Sequence, residues 1–210
     1  MKRDNTITSV FGRKGSGKTT LVAEISEDFR RVYAFDSMGE YDETRGFEVC
    51  YGLAECARRM VEAARLPLFR LSLRVDRTED FLKLLRIAYE VPDSLLVVEE
   101  TSLYCSPSKL PDDLSRLVRY GRHRKLNIVF VARRPSEIHR ELTAQSDVIV
   151  TFRQHEPRDV DYLKSFIGPR VEGVSRLPEY HVLAFGDIEK IPVAVIERLR
   201  DQERRGVSPA

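Results

Sequence analysis

The segment Gly12-Arg13-Lys14-Gly15-Ser16-Gly17-Lys18-Thr19, followed by Thr20, fits GxxxxGK[ST] at each fixed position. No other stretch constrains the fold as much, because this pattern works only between a strand and a helix. The β-branched and aromatic run at 6–11 supplies the strand, and helical periodicity over 18–30 supplies the helix. The glycines let the backbone curl so that successive N–H groups converge on phosphate oxygens, to which the helix N-terminus adds its positive end. Lys18 is expected to bridge the β- and γ-phosphates of ATP, and the Thr19 hydroxyl to complete a Mg2+ shell. The other reading, a Gly-rich turn arising by chance, leaves the strand–loop–helix register unexplained.

The rest of the chain repeats that alternation. Strands are expected over 32–36, 69–73, 95–99, 127–132, 147–152 and 181–185, and helices near 53–65, 78–90, 111–121, 136–143 and 157–166. Such alternation predicts an α/β fold, a mainly parallel sheet flanked by helices. In 111–121, Leu114, Leu117 and Val118 form an i, i+3, i+4 stripe, Pro111 suits the first helical position, and Asp112, Asp113 and Arg119 suit the helix dipole. The stretch 187–196 reads as a last hairpin or strand, and 197–210 as a charged tail, a short exposed helix that frays. One domain over 1–196 is therefore expected, which suits a chain of 210 residues.

Composition narrows the class further. With 42% hydrophobic and 32% charged residues the chain is not a disordered one. Its 35 Lys and Arg nearly balance 33 Asp and Glu, so only segregated charge can speak for a polyanionic partner. No apolar run approaches the ~18 residues that cross a bilayer, and Met1-Lys2-Arg3-Asp4-Asn5 leads into the first strand without a signal-like apolar region. A cytoplasmic chain without a membrane span is the expectation. Cys50, Cys56 and Cys105 form no CxxC pair and leave an odd count, which predicts free thiols rather than a zinc site or disulfides.

Leu95-Leu96-Val97-Val98-Glu99-Glu100 is a buried-strand pattern ending in two carboxylates. In an open α/β sheet that end is the rim where ligands bind. Glu99 is expected to hold magnesium, and Glu100 to polarise the attacking water as general base. Asp is more usual at the first of these positions. A pair of surface acids at a solvated strand end is the other reading. The second carboxylate also bears on reaction type, since a kinase must keep water from the γ-phosphate whereas a hydrolase must activate it.

From Arg116 to Arg134 lie seven Lys or Arg and no Asp or Glu. Arg119, Arg122 and Arg124 precede the strand at 127–132, which at ~3.3 Å per residue is ~20 Å long. They are therefore placed at the sheet edge far from the chain's own nucleotide. Arg122 is suited to a neighbour's ATP in a ring, to a polyanion, or to plain decoration of a helix C-terminus. Arg133, at the strand's other end, is a candidate sensor of the γ-phosphate in cis, while Pro135 biases Arg134 towards extended geometry.

The order of these features resembles the HerA–FtsK superfamily. The matching pieces are GRKGSGKT, AFDSMGEY (34–41), LLVVEE (95–100), VRYGRHRKLNIVFVARRPSEI (118–138) and AQSDVIVTFRQHEPRD (144–159), covering most of 7–166. The resemblance implies a P-loop NTPase of RecA-like type with the additional strand and catalytic Glu, working as a hexamer that pulls double-stranded DNA through its pore. It implies Arg122 as the arginine finger in trans, and Lys18, Thr19, Glu99 and Glu100 in the roles above. The family usually carries Gln where this chain has Arg133. A stripped motor of this size is similar to the genome-packaging ATPases of viruses with an internal membrane, which implies a location in host cytoplasm or with the virion and an anchoring portal or capsid component. Two other classes stay open from the residues themselves: a nucleoside or small-molecule kinase, for which GSGKTT speaks, and a nucleotide-gated binding subunit without useful turnover.

Overall fold

In the computed structural model, which describes residues 5–205, eight strands form one sheet. The strands are β1 (Ile7–Phe11), β2 (Arg31–Phe35), β3 (Glu48–Tyr51), β4 (Phe69–Arg74), β5 (Leu95–Val98), β6 (Asn127–Ala132), β7 (Val148–Phe152) and β8 (Val182–Gly186). Their order is β3-β4-β2-β5-β6-β1-β7-β8, parallel throughout except for β8, which runs antiparallel to β7. β5 and nearly all of β2 and β6 are apolar, as strands covered on both faces are. Side chains alternate between two cores: Phe35, Leu96, Val98, Ile128 and Phe130 face one, and Val10, Ala34, Val97, Val129 and Val131 the other.

The helices divide between those cores. α1 (Lys18–Glu27) and α7 (Val193–Arg204) cover the second through Leu21, Val22, Ile25 and Val195. The first lies under α2 (Gly52–Ala63), α3 (Thr78–Tyr89), α4 (Asp112–Tyr120), α5 (Arg140–Ala144) and α6 (Pro157–Ile167). The stripe Leu114, Leu117 and Val118 is buried as its spacing demands, and each such side chain contributes ~1.5–3 kcal/mol. Pro111 caps that helix from just outside rather than occupying its first position.

Several expected elements differ. β3 was not expected; it is a four-residue edge strand whose burial alternates weakly around charged and half-exposed residues. The helix expected over 136–143 is broken: Pro135–Glu137 forms a 3-10 turn, and α5 begins afresh after His139, whose Nδ1 accepts from the Glu141 N–H at 3.2 Å. Buried Asp159 fixes this break by accepting from the Ser136 N–H and hydroxyl and from Arg134 Nε. The hairpin expected over 187–196 is instead a 3-10 turn leading into α7, and α7 docks on α1 and β8 rather than standing off as a frayed helix. Met1–Asp4 and 206–210 lie outside the described residues. Among the described residues no helix is long and apolar enough to cross a membrane, and the three cysteines are free and buried.

Candidate functional site

The sheet order brings the sequence motifs together. β5, β6 and β1 are adjacent and parallel, with Val98 opposite Phe130 and Phe11 opposite Ala132. The residues that leave their C-terminal ends are Glu99-Glu100, Arg133 and Gly12. Three distant segments thus meet on one rim.

On the loop, Gly12 has no room for a side chain: a Cβ there would lie 2.5 Å from Ser16 Oγ and 2.9 Å from Phe152 Cβ. Gly17 has φ +99°, a conformation open to glycine, and it starts α1 without a side-chain cap or an acid in the first turn. The first N–H groups of α1 are therefore left for an anion. The Ser16 hydroxyl is buried without a partner among the described residues, a further donor facing no acceptor. Lys18 is buried, its Nζ donating to the Arg13 carbonyl at 3.2 Å. Burial pulls its ammonium below the ordinary value, against the pull of the Glu99 and Glu100 carboxylates. These features fit a triphosphate. Arg13, Lys14 and Gly15 form the loop's exposed rim, as does Thr20, while Thr19 is half-buried.

Glu99 is 3% exposed and, among the described residues, its side chain receives one hydrogen bond, from the Tyr41 hydroxyl to Oε2 at 3.2 Å. Burial pushes its carboxyl up to about 7, with Glu100 and Asp36 adding to the push and Lys18 and Tyr41 opposing it. A buried carboxylate with so few donors is suited to a hard cation, and with the Thr19 hydroxyl it gives the oxygen donors magnesium takes. Bound there, the ion would supply positive charge to the β- and γ-phosphate oxygens.

Tyr41 was missed as a site residue in the sequence, although its segment 34–41 stood out. Asp36, fully buried, accepts from the Glu40 and Tyr41 N–H groups at 2.9 Å each and from the Ser72 hydroxyl at 3.1 Å. That knot turns the chain after β2 and delivers the Tyr41 hydroxyl to Glu99. Only the pairing of β2 between β4 and β5 reveals it.

Glu100 is 9% exposed and sits at φ +47°, left-handed for a non-glycine residue, at a cost of ~1–3 kcal/mol. The tight turn is tied by the Leu103 N–H to the Glu100 carbonyl at 2.8 Å and by the Thr101 hydroxyl to the Val98 carbonyl at 2.9 Å. Its side chain accepts from Arg133 Nε at 2.7 Å. Arg133 therefore stands on the expected rim, with the second carboxylate as its partner.

Arg122 lies at the opposite end of β6, exposed in the 3-10 turn Gly121–Arg124. Arg119 pairs with Glu141 at 2.7 Å, and Arg124 pairs with Glu90 and lies over the Tyr89 ring. The Arg122 guanidinium has no carboxylate partner among the described residues, although its backbone carbonyl accepts from Asn5.

The charge state of Glu99 carries a measurable consequence. A carboxyl raised on folding stabilises the folded chain below its ordinary value, near 4.5, and loses that contribution as pH rises through about 7. At pH 8 its ionisation costs about 3 kcal/mol. Glu99→Gln should therefore stabilise the nucleotide-free protein at pH 8 and change it little at pH 5, read by denaturant unfolding at both. An unchanged pH slope would show that Glu99 is solvated.

No protein-family model matches the chain, and no curated protein matches it either. Solved structures do. The chain is similar to the genome packaging NTPase B204 from Sulfolobus turreted icosahedral virus 2 in complex with sulfate, with TM-score 0.73 at 17% identity over 89% of this chain and 93% of that one. It is similar to B204, the DNA-packaging ATPase from Sulfolobus turreted icosahedral virus, with TM-score 0.71 at 18% identity over 91% and 96%. A more distant likeness is to the pCW3 conjugation coupling protein TcpA, with TM-score 0.52 at 14% identity over 95% of this chain and 66% of that one. The likeness agrees with the α/β fold, a mainly parallel sheet flanked by helices, expected from the sequence. With its mainly parallel sheet, its loop between β1 and α1 and its twin-acid strand end, this chain has the P-loop NTPase fold in the form seen in the B204 packaging ATPases.

Proposed function

We propose that the chain is an ATPase motor that hydrolyses ATP with magnesium and moves double-stranded DNA as a ring of identical subunits, in the manner of genome packaging. The observation that carries this reading is the convergence of Lys18, Glu99, Glu100 and Arg133 on one rim of the sheet. Gly12 to Thr20 cradle the triphosphate, Lys18 holds its β- and γ-oxygens, and Thr19 and Glu99 hold magnesium. Glu100 accepts a proton from water as the water oxygen bonds to the γ-phosphorus. The bond from that phosphorus to the β–γ bridging oxygen breaks, and the electron pair leaves with ADP.

Arg133 adds a step to this scheme. Its Nε donates to a Glu100 oxygen at 2.7 Å. A γ-phosphate offers the guanidinium a doubly charged partner, so its arrival draws Arg133 away and frees the carboxylate for water. Arg133 thereby reports nucleotide in cis, the role usually filled by Gln. A small-molecule kinase would turn such a carboxylate on an acceptor hydroxyl and keep water out. Hexameric assembly and an anchoring portal or capsid component belong to the same proposal.

The test is ATP turnover with and without duplex DNA across a salt series. Turnover should rise with DNA, and the stimulation should fade steeply as salt rises, because phosphate contacts release counterions. Turnover indifferent to DNA at low salt would defeat the motor reading. Phosphate transfer to a small acceptor, with little hydrolysis in its absence, would favour a kinase.

A further inference from the structure

The twin carboxylates occupy one side of the loop strand; the other side, towards β7 and β8, holds an unassigned pair of hollows. One of about 250 Å³ lies between the loop and the segment entering β8, lined by Arg13, Lys14, Ser16, Phe152, Arg153 and Tyr180. The second, of about 390 Å³, opens between α1 and α7. Glu179 and Tyr180 line both. The first hollow is smaller than the ~300 Å³ at which pockets for whole drug-sized ligands begin. That size suits a base with part of its ribose.

Tyr180 is an unusual residue for this place. It is 59% exposed, so its ring adds little to the core, yet its backbone sits at φ +63°, a conformation bulky residues rarely adopt. Its Cδ1 would lie 3.3 Å from a Cβ on Gly17, so the ring lies close against the last glycine of the loop. The strained geometry is held from two directions. His181 Nδ1 is 2.8 Å from the Glu179 carbonyl, and the His181 N–H donates to the Pro178 carbonyl at 3.3 Å. From α7, Arg198 donates to the Tyr180 carbonyl at 3.5 Å while bridging to Glu24 of α1. Gln202 brackets the next strand residue, accepting from the Val182 N–H at 2.8 Å and donating to its carbonyl at 2.9 Å.

We propose that Tyr180 is the nucleobase platform, on whose ring the purine of a bound nucleoside triphosphate stacks, and that α7 is the strut that poses it. The proposal rests on the nucleotide-binding reading of the loop and extends it to the part of the ligand that the loop does not touch. Stacking reads the face of a base rather than its edge, and a bicyclic purine offers the larger face.

Calorimetric titration of the wild-type chain with ATP and with inorganic tripolyphosphate, both with magnesium, tests this directly. Tyr180→Ala should weaken ATP binding roughly tenfold, the scale of one base–aromatic stack, and leave tripolyphosphate binding unchanged. Tyr180→Phe should keep the wild-type affinity for ATP. Tyr180→Gly, which relieves the positive φ, should match Tyr180→Ala and so separates a lost ring from a disturbed loop. ATP binding unaltered in Tyr180→Ala would overturn the platform while leaving the loop site intact. Equal weakening of ATP and tripolyphosphate would overturn it too, because the loop itself would then be deformed. A wild-type chain that binds neither ligand would remove the nucleotide reading and this proposal with it.

Discussion

Glu100→Gln should reduce ATP turnover by about 10²- to 10⁴-fold, the range a positioned general base supplies, while ATP stays bound. Glutamine keeps the shape of the side chain, and its amide oxygen still accepts from Arg133 Nε, so the left-handed turn at φ +47° keeps its partner. What it lacks is a basic site for the proton of the attacking water. Lys18 and the loop are untouched, so affinity for ATP should hold and the nucleotide should be trapped unhydrolysed. Single-turnover hydrolysis alongside equilibrium ATP binding checks both halves. Wild-type turnover in Glu100→Gln would take the base assignment away. A wild-type chain that binds ATP without hydrolysing it would instead support the gated binding subunit.

Why the acidic strand end was legible and the contact of Tyr41 with Glu99 was not follows from how each is specified. The phosphate loop and the acidic strand end are local patterns: four apolar residues between covered sheet faces, then charge at the rim. Strands buried on both faces stood out for the same reason, while their order, with β6 between β1 and β5, is seen in the structure. Tyr41 reaches Glu99 across 58 residues through the Asp36 knot, and the sequence around either residue carries no trace of that contact. The same holds for Arg133 and Glu100, which were assigned separate roles and prove to be partners. β3 escaped notice because an edge strand need bury little, so its pattern is faint. Helix α7 was hidden by its chemistry: its buried residues are Val195 and the polar Gln202, so a docked helix reads like a solvated tail.

The three arginines before β6 show the reverse case, in which the sequence left a choice that tertiary contacts narrow. Arg119 and Arg124 already neutralise Glu141 and Glu90 on their own chain, and each would have to give up that partner to serve a phosphate. Arg122 has no such tie and projects from the end of β6 opposite Arg133. The strand's six residues, ~20 Å long at strand rise, separate it from its own loop. If it contributes to catalysis, the nucleotide it serves belongs to a neighbour. Arg122→Ala should therefore lower turnover by about 10³- to 10⁵-fold, the scale of an arginine finger, while each subunit still binds ATP. Lys18→Ala subunits, deficient in their own loop, retain Arg122. Mixing the two inactive variants should restore part of the activity, because an Arg122→Ala subunit with an intact loop then receives the finger of its Lys18→Ala neighbour. The extent of recovery should follow the mixing ratio and pass through a maximum, as only the mixed contact of correct polarity is competent. Mixed assemblies that form, as seen by differential labelling, yet stay inactive at every ratio would exclude Arg122 as the trans residue. Recovery with a maximum would tie hydrolysis to the ring itself, since no single chain can supply both ends of β6 to one triphosphate.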